Sequence, residues 1–217
     1  MKNLFFTAFI LISGISGSAQ QRNNDVTLTY SISISAPQNE QIAKAFNGAT
    51  YTVFLKGGES RTEMVSTLGT ESGIYNNVLG KAAILKEYSG QKLMITLTRE
   101  NWQQKNSLFH DLDFKAGTEK SKIGNFDVLP AEGEIDGKPF IVYYTTSGQL
   151  PNTDYNNAFG KIKGIPVKYD LKSGNLTFTY TLKTLSYDII PSTKFDLPKS
   201  GFRVMSYDEN QQLKKGN

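Results

Sequence analysis

The side chains best suited to chemistry sit in two short acidic stretches. His110-Asp111-Leu112-Asp113 offers three potential ligands for a hard or borderline cation. Its spacing matches no ligand signature, however, and the stretch also reads as a polar surface loop. His110 is the only histidine, which excludes histidine-centred triads and multi-histidine metal centres. Glu132-Gly133-Glu134-Ile135-Asp136-Gly137 places carboxylates at every second position before a glycine, as a calcium loop does, but lacks the later bidentate glutamate. Asp136-Gly137 is better explained as a hairpin turn. Carboxylate pairs of the kind that hydrolyse glycosides occur in any acidic domain and single out nothing. There is no Gly-x-Ser-x-Gly elbow, no phosphate-cradling glycine loop and no dinucleotide fingerprint. Gly160-Lys161-Ile162-Lys163-Gly164 lacks the strand–loop–helix setting a phosphate site needs, and Asn175-Leu176-Thr177 matches a glycosylation sequon that carries no weight by itself. The expectation is a protein that is not an enzyme, with no catalytic residue, metal or cofactor.

What remains is apolar. Thirteen phenylalanines and eleven tyrosines accompany a single tryptophan, a composition suited to strands and apolar cavities. The strand residues Tyr30, Ile32, Tyr51, Val53, Met64 and Met94 in the first half, and Phe140, Val142, Tyr144, Phe178 and Tyr180 in the second, either fill an ordinary core or line an unfilled concave face. Composition leaves both open.

The elements that position these residues are mostly strands. From Val26 to Ser35, Val26, Leu28, Tyr30, Ile32 and Ile34 alternate with Thr and Ser, which predicts a strand with one wet face. Pro37 ends it, and a short helix is expected over 39–46. Strands follow at 51–56, 59–68, 71–75, 82–88 and 92–98, with Gly57-Gly58 and Ser89-Gly90 as turns, giving an antiparallel meander. Residues 99–108 read as a short helix or ordered loop and 111–122 as a loop. Strands resume at 126–133 and 138–145, pause in a polar loop at 149–157 that carries Pro151, and return at 165–171 and 175–186, before a final segment at 194–205. The fold class is mainly β (α+β), a strongly curved antiparallel sheet; sandwich and open barrel are both compatible with the periodicity.

The N-terminus carries Lys2, an apolar run from Leu4 to Ile12, and small residues ending Gly17-Ser18-Ala19. This is the pattern of a signal peptide, expected to be cleaved after Ala19 and too short to span a bilayer. Cysteine is absent, so neither an N-terminal lipid anchor nor a disulfide is possible. A net charge of +4, dispersed along the chain, gives no footprint for nucleic acid. The expected organisation is a leader at 1–19, a flexible stretch at 20–25, one β-domain at 26–207 and a flexible tail at 208–217. The mature chain is expected to be exported, periplasmic, not a lipoprotein and without a transmembrane span.

The C-terminal part also resembles a known family. Ile123-Gly124-Asn125-Phe126-Asp127-Val128 precedes Lys138-Pro139-Phe140-Ile141-Val142-Tyr143-Tyr144-Thr145, then Gly164-Ile165-Pro166-Val167-Lys168-Tyr169, and finally 190–205 with Phe195, Pro198 and Gly201. This order is similar to that of exported Bacteroidota proteins related to the lipoprotein carriers LolA and LolB, and Gln20-Gln21 after the cut resembles leaders of that phylum. The resemblance implies a half-open β-barrel with short helices over its concave face. It also implies binding or carriage of a lipid, a lipoprotein acyl chain or another apolar small molecule. Ile42, Phe46 and Trp102 would then be lid residues, and outer-membrane proteins further candidate partners. The competing expectation is a soluble interaction subunit of an outer-membrane complex with a filled core.

Overall fold

A computed structural model of the chain describes residues 24–35, 40–109, 112–135 and 137–215. The expected leader lies outside the described residues, as do Pro37, Asn39, His110, Asp111 and Asp136. Strand β1 (Val26–Ser35) buries Val26, Leu28, Tyr30 and Ile32 on one face, as its alternation requires. Helix α1 (Glu40–Ala45) buries none of its side chains. Strands β2 (Thr50–Lys56), β3 (Glu59–Ser66), β4 (Gly69–Asn76), β5 (Lys81–Tyr88) and β6 (Gln91–Thr98) then form successive antiparallel hairpins. Tyr88 pairs with Gln91 across Ser89 and Gly90, whose positive φ angles of 50° and 78° suit a turn that follows the twist of the strands.

Helix α2 (Arg99–Lys105) leaves β6 directly. Its first turn is closed by Thr98, whose hydroxyl accepts from the Asn101 N–H at 3.2 Å while Asn101 Oδ1 accepts from the Thr98 N–H at 3.2 Å. A 3-10 turn at Ser107–Phe109 continues it. The stretch expected as a loop at 111–122 contributes two short strands, β7 (Lys115–Ala116) and β8 (Ser121–Ile123), both paired to β9 (Phe126–Ile135). Strands β10 (Lys138–Thr145), β11 (Ile165–Ser173) and β12 (Leu176–Ser186) complete the second half. Because β12 pairs with β1, the two halves fuse into one large, open, curved and mainly antiparallel sheet of order β6-β5-β4-β3-β2-β1-β12-β11-β10-β9-β7.

The C-terminal residues return along the convex face. Ile190 donates its N–H to buried Asp25 at 2.8 Å, and Asp25 also holds the Lys56 ammonium at 2.6 Å. Residue 25 is therefore an anchor, where a flexible stretch was expected up to that position. Lys194 pairs with Glu63 at 3.0 Å, lies 4.2 Å over the Phe54 ring, and accepts a hydrogen bond from Arg61 at its carbonyl. This strap delivers strand β13 (Arg203–Ser206) alongside β6 in parallel, since the chain has crossed the sheet to reach it. Of the segment expected at 194–205, only Arg203, Val204 and Met205 form a strand, which Ser206 completes. Where a flexible tail was expected from 208, helix α3 (Tyr207–Lys215) follows, with Tyr207 buried. Ser206 and Glu209 close its first turn reciprocally, which explains why it forms.

The core lies on both faces. A large concave cluster centres on Tyr30, Leu55, Val142 and Tyr169; a second, under α2, holds Tyr75, Ile84, Ile95 and Trp102. Ile74, Ala83, Leu85 and Met94 form a small convex cluster against Phe202 of the strap.

Candidate functional site

Five tyrosines gather on the concave face: Tyr30 from β1, Tyr51 from β2, Tyr169 from β11, Tyr180 from β12, and Tyr155 from the irregular connection between β10 and β11. Tyr169 and Tyr180 are cross-strand partners and stack with centroids 4.8 Å apart, while Tyr30 and Tyr51 meet them edge-on at 5.8 and 5.3 Å. Burial holds the phenols of Tyr30, Tyr51, Tyr155 and Tyr169 above their ordinary range and raises that of Tyr180 to about 12. Near neutral pH they are uncharged hydroxyls, able to hydrogen-bond but not to act as bases.

The end of the stretch expected as a polar loop at 149–157, with the residues that follow it up to Ile162, packs into this face. Tyr155, Ala158, Phe159 and Ile162 are all buried, and the Phe159 ring meets Tyr169 edge-on at 4.7 Å. Their spacing is that of one face of a helix, and the backbone follows it in turns: the Asn157 N–H donates to Thr153 and the Ile162 N–H to Phe159, both at 3.0 Å. Helix α2 covers the neighbouring part of the face. Trp102 stacks on Tyr75 at 5.1 Å and 12°, and its indole N–H donates to the Asp154 carbonyl at 2.8 Å, tying helix to plug. Gly73 makes room beneath it, since a Cβ there would stand 3.3 Å from Trp102 and 2.9 Å from the Thr62 hydroxyl.

Between these covers and the sheet lies a cleft of about 200 Å³. Tyr51, Met64, Ile84, Tyr180 and Leu171 wall it from the sheet, Trp102, Lys105, Asn106 and Phe109 from above, and Tyr155 from the plug. The Glu71 carboxylate at its edge is held by Lys86 at 3.2 Å and by the Tyr88 hydroxyl at 3.3 Å. The Lys105 ammonium lies 5.2 Å over the Trp102 ring and 3.5 Å from Asn106 Oδ1. Tyr155 Oη is enclosed and has no hydrogen-bond partner among the described residues.

A second space of about 470 Å³ adjoins it and shares Phe109, Tyr169 and Leu171 as walls. It exists because β10 and β11 part company. They pair over Val142 to Thr145, with a bulge between Tyr143 and Tyr144, but residues 138–141 and 170–173 pair only with β9 and β12. Alternation in the two hairpins turns the backbone groups of Pro139 and Ile141, and of Asp170 and Lys172, into this seam. Pro139 brings no N–H to it, as proline on an open edge does not. Phe140, Ile141, Ile135 and Leu108 line the seam together with Lys138, Lys168, Asp170 and Lys172. A third cleft of about 280 Å³, beyond Trp102, is polar and internally paired: Arg99 donates to Asn77, and Asn77 to Asp154.

The structure distributes the sequence-derived candidates among these places. Tyr51, Met64 and Tyr180 line the cleft beneath Trp102, one of the expected lid residues, and Phe140 lines the seam. Tyr30, Ile32, Val53 and Val142 are packed in the closed core, where the Tyr30 hydroxyl donates to the Pro166 carbonyl at 2.9 Å. Tyr144 borders a separate space of about 550 Å³ near Lys122 and Ser147. Met94 faces the opposite, convex side, because its neighbours Leu93, Ile95 and Leu97 take the concave positions of β6. Phe178 meets Phe46 edge-on at 5.7 Å at the rim, so Phe46 and Ile42 of the α1 region stand apart from the cleft. Tyr155, Phe109, Tyr169 and Lys105 are site residues the sequence reading missed; the helical spacing of 155–162 was the available signal for the first. Asp113, from the proposed cation cluster, is paired with Lys161 at 2.7 Å. Among the described residues no group of three or more His, Cys, Asp or Glu is placed to hold a metal, and no helix is long and apolar enough to cross a membrane.

No family model matches the chain, and no curated protein does. Among solved structures, PNGF-II in two crystal forms superimposes with a TM-score of 0.48 in each, at 11% and 12% identity. The match covers 88% of this chain and 33% and 32% of PNGF-II, so the chain spans about a third of that protein's length. A LolA superfamily protein from Nitrosomonas europaea is a more distant structural neighbour, with a TM-score of 0.36 and 10% identity over 81% of this chain and 91% of its own.

Proposed function

We propose that this chain is a non-enzymatic binding protein of the bacterial periplasm that holds a lipid or acyl chain between α2 and the concave face of its sheet. The observation that carries this reading is the aromatic cleft under Trp102 and Phe109 together with the seam groove that shares its wall. The groove alone falls in the range of roughly 300–1,000 Å³ typical of small-molecule sites. Its walls are branched and aromatic, with Lys138, Lys168, Asp170 and Lys172 also among the lining residues. Export rests on the leader pattern of residues 1–19.

The test is to purify the protein after native export, extract it with organic solvent and analyse the extract by mass spectrometry. A parallel titration follows a fluorescent fatty acid through energy transfer from Trp102, the only tryptophan. A stoichiometric acyl species, or saturable fatty-acid binding, is expected. Protein that carries nothing and ignores the probe would sink the reading. One observation favours a second reading, an interaction subunit of an outer-membrane complex: the facing open edges of β10 and β11 can accept an added strand. A membrane protein copurifying at stoichiometric amount with ligand-free chain would establish it.

A further inference from the structure

We propose that the cleft under α2 takes a monocarboxylate amphiphile, its carboxylate held at the mouth by the Lys105 ammonium and its apolar body between Trp102 and the sheet. This inference rests on the binding reading above and adds the charge of the ligand's head and the residue that selects it.

Lys105 carries the argument through its position and its lack of a counter-charge. Two spaces flank Trp102: the polar third cleft, lined by Tyr75, and the aromatic cleft, lined by Lys105. Tyr75 stacks on the indole from the first side, so the Lys105 ammonium, 5.2 Å from the ring centroid, stands on the side of the second. The residue is exposed, which leaves it open to an incoming ligand. Among the described residues it makes no ion pair. Its contacts are the indole ring and Asn106 Oδ1 at 3.5 Å, long for a hydrogen bond. Glu71, the one carboxylate lining the cleft, is held by Lys86 at 3.2 Å and by the Tyr88 hydroxyl at 3.3 Å instead. Apolar surroundings draw the Lys105 pKa below its ordinary value; Lys86 and Lys214 act in the same direction and Glu71 opposes them. A bare ammonium is therefore disfavoured here, and an anion beside it relieves that cost.

Charge and size fix the rest of the ligand. With Lys86 offsetting Glu71, Lys105 is the one unmatched charge in the cleft lining. A singly charged carboxylate matches it, whereas a phosphate monoester would bring about −1.5 to −2. A cationic head would meet Lys105, Lys86 and Lys214 with no free carboxylate to offset them. The body of the ligand lies against Tyr51, Met64, Ile84, Trp102 and Tyr180. A dry cavity of about 150 Å³ can hold benzene, so a cleft of about 200 Å³ admits a ring or a short chain. A longer chain continues where the cleft shares Phe109 and Leu171 with the seam.

The test uses the whole chain with three six-carbon probes that differ in the head: hexanoate, hexan-1-ol and hexylamine, the last protonated at neutral pH. Calorimetry reads affinity, and Trp102 emission reports that the probe reaches the cleft. Hexanoate should bind tightest and hexylamine weakest. Lys105→Met keeps an apolar stem and removes the charge. It should weaken hexanoate about tenfold, the lower end of what a hydrogen bond to a charged group contributes, and leave hexan-1-ol unchanged. Lys105→Arg should retain the preference. Hexanoate bound no tighter than hexylamine would overturn the carboxylate inference while leaving an apolar site standing. So would a hexanoate affinity that Lys105→Met leaves intact, or lowers equally with the other two. If calorimetry detects none of the three probes, the cleft takes no ligand and the binding reading falls with it.

Discussion

The two halves of the sheet cover the same kind of concave apolar surface by different means. Strands β2 to β6 pair without interruption from hairpin to hairpin, and their concave row includes residues as small as Gly73 and Ala82. One short helix with a closed first turn lies flat on that row and seals it with a single large side chain, Trp102. Strands β9 to β12 are irregular: pairing slips between Tyr143 and Tyr144, and β10 and β11 separate beyond Val142. Their cover is a chain of turns that inserts Tyr155, Ala158, Phe159 and Ile162 one by one. Regular strands present a regular surface that a helix can match, whereas splayed strands need a cover fitted residue by residue. The aromatic cleft lies where the two kinds of cover meet.

High pH should break this comparison most completely. Of the tyrosines whose phenols are pushed up by burial, Tyr169 and Tyr155 belong to the plugged half, and Tyr30 of β1 and Tyr51 of β2 pack against it across the junction. A raised folded value means that the stability these groups contribute is fully present below the unfolded value near pH 10 and is lost as pH rises through the folded values. Tyrosinate absorbance and loss of near-ultraviolet circular dichroism should therefore rise together above about pH 10. Complete titration near that pH with the fold intact would refute the packing described for this half. The next largest effect is expected from Phe159→Ala, which empties a fully buried position against Tyr169. It should cost about 3–5 kcal/mol in urea denaturation. A loss below about 1 kcal/mol would show that the plug is not part of the cooperative core.

How much of this was legible depends on how local the signal was. The alternation of β1 and the glycine turns at 57–58 and 89–90 act between neighbouring residues, so strands and hairpins followed from them. The plug obeys an equally local rule, apolar residues at 155, 158, 159 and 162, but Pro151 and the surrounding Asn, Thr and Asp made its first part, up to 157, read as a loop. Helix α3 announces itself as Ser206-x-x-Glu209, yet its sequence is otherwise polar enough to read as a tail. Met94 shows a different obstacle. It sits between Leu93 and Ile95 in a strand buried on both faces, because the strap covers the convex side, and no periodicity foretells a strap arriving from 190–202. The Tyr155 hydroxyl belongs to the same class: its isolation depends on where a distant helix lands.

The sealed half can be probed at Gly73. A β-branched residue suits a strand, so Gly73→Val should favour β4 locally, yet its side chain meets Trp102 and Thr62. A net loss of about 1–3 kcal/mol is expected, the usual consequence of overpacking, with Trp102 emission shifted to the red as α2 lifts. If the variant is as stable as the natural protein and its emission is unchanged, the close seat of α2 on the sheet is wrong.

The smallest effect lies at the edge of that same half, in α3. The Glu209 carboxylate accepts from the Ser206 N–H at 2.7 Å and from its hydroxyl at 2.9 Å, and these bonds hold its pKa below the ordinary value. A lowered folded value contributes stability that is present above the unfolded value and lost as pH falls through the folded one. Amides of α3 should thus lose protection from hydrogen exchange in mild acid, before those of β2 to β6. Ser206→Ala should produce the same fraying at neutral pH, at a cost of about 1 kcal/mol, and should leave the exchange of the 155–162 plug untouched. If the plug frays with α3, the two halves are not covered independently, and the contrast between a helix-sealed and a plug-fitted half would have to give way to a single coupled core.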